Sequence, residues 1–138
     1  MAILNKFNSF TYELGKGTHN FTSHTLKAVF TNTEPLATNA VLADIVEIPA
    51  TGGYPVGGIQ LDNPTWTTTE GVAKLVLDDK VFLATDTVGP FRYVVIYNDT
   101  PEGDPLIGWY DYGQSLILKT DESLTIDFNQ TSGVLTIT

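Results

Sequence analysis

The sequence predicts a mainly β domain: an antiparallel β-sandwich or jelly-roll-like fold with one short N-terminal helix. Three observations carry this. The apolar period switches from helical to two after Gly17. About eight to ten short strand-like runs follow, with turn residues roughly every ten positions. No stretch between them reads as a crossover helix, so a parallel sheet is not expected.

Ile3, Leu4, Phe7, Phe10 and Leu14 fall on one helical stripe, with Gly15 and Gly17 as stop signals behind it. This predicts a helix over residues 2–14. Its stripe must bury itself against the body, as a lid, or against another protein, as a docking arm. Ile3, Leu4, Phe7 and Phe10 are therefore the candidate partner-contact residues. In residues 25–31, Leu26, Ala28 and Phe30 point to one side and Lys27, Val29 and Thr31 to the other. Residues 44–48 form a less regular strand candidate that stops at Pro49. Four glycines and Pro55 make residues 51–58 a loop. Strands are expected at 66–69 and 72–77, then, after the turn Asp78-Asp79, at 81–85. Residues 91–98 are apolar or aromatic on both sides, as in a central strand covered on both faces. A turn-rich connection fills 100–105. The last strands are expected at 106–111, 115–119, 123–128 and 134–138, with the final two paired as a hairpin across 129–133.

The length of 138 residues suits one domain, and no linker or repeat divides it. Hydrophobic residues make up 42%, which argues against disorder. Charged residues are only 17%, with threonine filling much of the difference, a residue suited to an exposed sheet face. The net charge of −9 is uneven. Residues 1–30 set three lysines against Glu13, while the rest sets four cations against 15 acids. Such a body repels phosphate backbones and anionic lipid headgroups, so neither nucleic acid nor membrane is an expected partner. The absence of cysteine excludes disulfides and thiolate metal sites. The first residues do not read as a signal peptide, and no apolar run is long enough to span a bilayer.

Chemistry-bearing residues form no convincing set. His19 and His24 lack the surroundings of a zinc helix and read as solvated or capping side chains. Asp99, Glu102 and Asp104 share a loop that Pro101 and Pro105 interrupt, without the spacing of a calcium loop. Asp111 lies among Trp109, Tyr110 and Tyr112, residues that can line a sugar groove, but no facing carboxylate identifies itself. Ser115 and Ser123 have no nucleophile-elbow context. Gly52, Gly53, Gly57 and Gly58 read as positive-φ turns rather than a phosphate loop. The expectation is no catalytic residue, no metal, no cofactor and no enzymatic activity.

Seven segments in order span almost the whole chain: Lys6-Phe7-Asn8-Ser9-Phe10, then residues 14–21, 25–35, 50–58, 89–99, 105–113 and 133–137. Together they resemble a family of small β-rich virion structural proteins of tailed bacteriophages. The resemblance implies a capsid decoration or cement protein that stabilises capsomer junctions. A tail or neck component, or a carbohydrate-binding tail-fibre module with Trp66, Trp109, Tyr110 and Tyr112 stacking on sugars, is the alternative. It further implies the major capsid protein or other virion proteins as partners, and a small symmetric homo-oligomer, a trimer being the first choice. The expected location is the virion, on the capsid surface, after synthesis in the bacterial host cytoplasm. It offers no catalytic residue to carry over.

Overall fold

The structure, a computed structural model, describes residues 3–138. It is mainly β, with 42% strand and 9% helix, and all its strand pairings are antiparallel. The elements are β1 (Asn5–Lys6), α1 (Asn8–Lys16), β2 (Leu26–Thr31), a 3-10 turn (Leu42–Asp44), β3 (Ile59–Gln60) and β4 (Thr65–Thr69). Then come β5 (Val72–Val76), β6 (Lys80–Leu83), β7 (Val88–Asn98), β8 (Leu106–Leu118), β9 (Ser123–Ile126) and β10 (Leu135–Ile137). They form a five-stranded sheet in the order β1-β8-β7-β2-β3, a three-stranded sheet β10-β5-β4, and the pair β6-β9.

The central strand is β7, as the sequence predicts. It pairs with β2 from Leu26 opposite Asn98 to Thr31 opposite Tyr93, and with β8 on its other side. Residues 93–98 are buried without a break. On one face, Phe30 stacks on Phe91 at 4.6 Å and on Tyr54 at 5.0 Å, and meets Phe82 of β6 edge-on at 5.7 Å. On the other, the Thr31 hydroxyl donates to the Val46 carbonyl and the Tyr97 hydroxyl to the Gly57 carbonyl. With the Ile48 N–H on the Phe30 carbonyl, these bonds hold the 33–58 excursion against the β2 edge, where it reaches both faces: Tyr54 lies on Phe30 and Val46 on Thr31. Val29 and Thr31 are therefore as buried as Phe30, where the alternation alone predicts one covered face. A single hydrophobic cluster joins all three sheets.

Four expectations need correction. The helix starts at Asn8, not at residue 2. Asn5 and Lys6 pair with Trp109 and Gly108, and the Phe7 N–H donates to the Ile107 carbonyl, so sheet bonds claim this stretch first. Ala2 lies outside the described residues. Gly15 sits inside α1; Gly17, at φ +94°, ends it, with its N–H on the Leu14 carbonyl and that of Thr18 on Glu13.

Residues 44–48 are not a strand. The Asp44 carboxylate accepts the N–H groups of Ala40 and Val41, which lowers its pKa and closes a turn instead. The two strands expected at 106–111 and 115–119 are one, β8, which runs through Gly113 at φ +81°.

The last two strands do not form a hairpin. β9 pairs with β6, and β10 pairs with β5. Between them Phe128 is buried, its N–H donating to the Asp79 carboxylate, and Gln130 donates to the Leu77 carbonyl. Both anchors pull residues 128–133 across from one sheet to the other.

Candidate partner-contact surface

The four residues nominated for partner contact divide. Phe7 is fully buried, with its ring 4.6 Å from that of Trp109. Phe10 is fully buried against His19 at 5.3 Å and Phe21 at 6.1 Å. Both rings belong to the chain's own core, so α1 acts as a lid and neither ring is open to another protein. Leu4 is half-buried over Gly108, where an added Cβ would meet its side chain at 2.9 Å. Ile3 is 84% exposed. Beside Ile3 and Leu4 lies a shallow cavity of about 240 Å³, walled by Tyr110, Asn129, Ser132 and Val134.

A second apolar exposure lies on β6. Val81 and Leu83, 60% and 54% exposed, point outward together while Phe82 between them enters the core. Across the pair, Thr125 and Ser123 of β9 complete a small uncharged face.

The chemistry-bearing residues are engaged within the fold. Arg92 clamps Asp111 through two bonds, Nε–Oδ1 at 2.8 Å and Nη2–Oδ2 at 3.1 Å, and the Gly113 N–H donates to the same carboxylate at 2.7 Å. The Arg92 bond, then that of Gly113, lowers the Asp111 pKa. Asp111 is thus a fixed anion rather than a poised acid. Trp109 leans on Phe7, Trp66 on Phe21 at 5.2 Å, and Tyr110 is buried beside Phe128. Burial pushes the Tyr112 pKa up to about 12. Asp99 pairs with Lys27 at 3.3 Å. Asp104 has a raised pKa, from burial first and Asp99 second. Among the described residues no three His, Cys, Asp or Glu side chains are placed to hold a metal ion. Gly52, Gly53, Gly57 and Gly58 all have positive φ, as their turn reading expects. Gly58 passes so close to the Ala28 carbonyl that no Cβ fits.

The histidines are where the sequence reading fails. His19 is 6% exposed and Asn98 fully buried. The Asn98 amide nitrogen lies 3.0 Å from His19 Nδ1 and 2.9 Å from His24 Nδ1, while its oxygen accepts the Thr100 N–H. With its oxygen taken by Thr100, the Asn98 amide has one hydrogen for each Nδ1, which leaves the His19 proton on Nε2, a buried atom without a partner among the described residues. The Asn20 N–H adds a second bond to His24 Nδ1. Burial lowers the His19 pKa to about 4; Glu13 opposes this and His24 adds to it. The one local signal was a polar residue, Asn98, closing the aliphatic and aromatic run of residues 93–97. The histidines lie 79 and 74 positions away, and nothing in the sequence marks that pairing. Compared with known protein families, characterised proteins and solved structures, the chain matches none.

Proposed function

We propose that the chain is a non-enzymatic structural protein of a tailed-phage virion, a decoration or cement protein seated over capsomer junctions as a small homo-oligomer. The resemblance of its seven ordered segments to virion proteins motivates the reading. The observation that carries it is a division of labour among side chains. Aromatic and carboxylate groups that could serve a sugar site or a catalytic pair are held in internal contacts, as Asp111 is by Arg92 and Trp109 by Phe7. Aliphatic side chains, meanwhile, remain on the surface at Ile3, Val81 and Leu83. Exposed apolar groups set among small hydroxyl residues suit contact with another protein.

The mechanism follows from repetition. A shell presents the same junction many times, and an oligomer engages equivalent sites together. Its later contacts are effectively intramolecular, so weak single interfaces gain avidity of about 10²–10⁴. Acids near the symmetry axis would repel, which favours the threonine and aliphatic faces as the contact surface.

A reconstruction of the particle, combined with native mass measurement of the free protein, tests this. Density over capsomer junctions is the expected result. Density only in the tail or neck would replace the capsid role with the tail alternative. Turnover of a polysaccharide by the purified chain would overturn the non-enzymatic reading.

A further inference from the structure

We propose that the free edge of β4 pairs with the β4 edge of a second copy of this chain, joining two three-stranded sheets into one. β4 is hydrogen-bonded on one side only, to β5. The two-residue turn Glu70-Gly71, both at positive φ, closes on Thr69 and Val72. A turn of this kind ends on a hydrogen-bonded pair. The phase then alternates. Thr69, Thr67 and Thr65 direct their backbone groups to β5, and Trp66 and Thr68 direct theirs outward. No loop among the described residues supplies backbone partners to that side. Native proteins blunt such edges with charge, proline or a bulge. The run Thr65-Trp66-Thr67-Thr68-Thr69 carries no charge and no proline, and its register with β5 is unbroken.

Charge identifies the occupant. The chain carries −9, so most self-contacts set acid against acid. β9, also paired on one side only, illustrates it: turned antiparallel on itself about Leu124, it would place Asp121 opposite Asp127. β4 turned on itself about Thr67 places Thr67 opposite Thr67, Trp66 opposite Thr68 and Thr65 opposite Thr69. Even Glu70, just past the strand, meets Pro64. The hydrogen-bond phase agrees, because Trp66 and Thr68 are the residues whose backbone groups face out. Each Trp66–Thr68 pair therefore exchanges both N–H···O=C bonds, and Thr67 sits at the closer, non-bonded position on the axis. This interface is isologous: a second copy uses up the β4 edge, so this pairing closes at two chains. The symmetric unit is then two-fold rather than three-fold. The pairing follows from the edge alone and holds whatever particle the chain belongs to.

Native mass spectrometry and sedimentation of the full chain test it, with hydrogen exchange at Trp66 and Thr68. The expected species has twice the 15.0 kDa chain mass, with both amides protected. Thr68→Pro removes an outward N–H that β5 does not use and gives a folded monomer. Thr67→Glu faces Lys74 within its own sheet, so the fold tolerates it, yet sets two acids on the two-fold axis. It also gives a monomer, and mixing it with Thr67→Lys restores a heterodimer at least tenfold over either variant alone. A monomeric wild type would overturn the proposal, including one whose β4 amides become protected only when another protein is added. So would a wild-type oligomer, two-fold or three-fold, that both variants leave intact.

Discussion

The five-stranded and three-stranded sheets share antiparallel pairing and have opposite fates. β2 and β7 are rich in Val, Ile, Phe and Tyr and are buried on both faces. β4 and β5 are rich in Thr and Val, yet Thr65, Thr67, Thr68 and Thr69 are exposed and β4 keeps an open edge. The difference is what lies on top. The central sheet has α1 at one end, Tyr54 and Phe82 of β6 over Phe30 on one face, and the 46–57 backbone bonded to Thr31 and Tyr97 on the other. Nothing among the described residues covers the outer face of β4. One sheet therefore holds the molecule together and the other is available to meet something else, and substitutions in the two should behave differently.

The largest effect should come from the lid. Deleting residues 1–14 removes Phe7 and Phe10, both fully buried, and exposes the Trp109 and Phe21 faces they cover. A docking arm would leave a stable body behind. The lid geometry predicts an aggregating chain without a cooperative unfolding transition, read by circular dichroism and size exclusion.

Acid should act next, at one end of the central sheet. The folded state holds His19 neutral, with a pKa of about 4 against 6.5 unfolded. Stability from this group is complete above pH 6.5 and falls as pH drops toward 4, where the unfolded chain binds the extra proton. Protonated Nδ1 would also set an N–H against the Asn98 amide hydrogens. The loss reaches about 3 kcal/mol below the folded pKa. His19→Gln keeps an acceptor for Asn98 but cannot titrate, so its denaturant midpoint should be flatter across this window. An equal slope in both proteins would remove His19 as the cause.

Val95→Ala, in the middle of β7, removes two fully buried methyl groups. It should cost about 1–3 kcal/mol, including the cavity left behind, as a lower midpoint with an unchanged slope.

How much of this was legible follows from the range of each signal. Alternation is local, so β4, β5, β7 and β9 appear close to where residues 66–69, 72–77, 91–98 and 123–128 place them. Pairing is not local. Leu124 and Ile126 show which face is buried, but nothing in 123–138 says that β9 seeks β6 and β10 seeks β5. The helix start failed because Ile3 and Leu4 fit a helical stripe as well as an extended edge, and the acceptor that decides, the Ile107 carbonyl, is remote in sequence. The contact surface was half legible. The stripe identified Phe7 and Phe10 as residues that must be covered, without saying that their own chain covers them. Val81 and Leu83 passed unnoticed because an apolar residue in a strand reads as core until its sheet partner is known.

The smallest stability effect should fall on that outward pair. Val81→Thr with Leu83→Thr replaces two exposed aliphatic side chains by β-branched hydroxyl ones that suit a strand. Phe82 keeps its place in the core, and the backbone pairing with Thr125 and Ser123 does not involve the changed atoms. Surface changes of this kind stay within about 0.5 kcal/mol. The denaturant midpoint should therefore match wild type, which separates this pair sharply from Val95. If the β6–β9 face is a contact surface, the double variant should bind its particle at least tenfold more weakly despite unchanged stability. A clear drop in midpoint would mean that this face is covered within the chain's own assembly, and the comparison between a covered central sheet and open outer strands would have to be redrawn at β6.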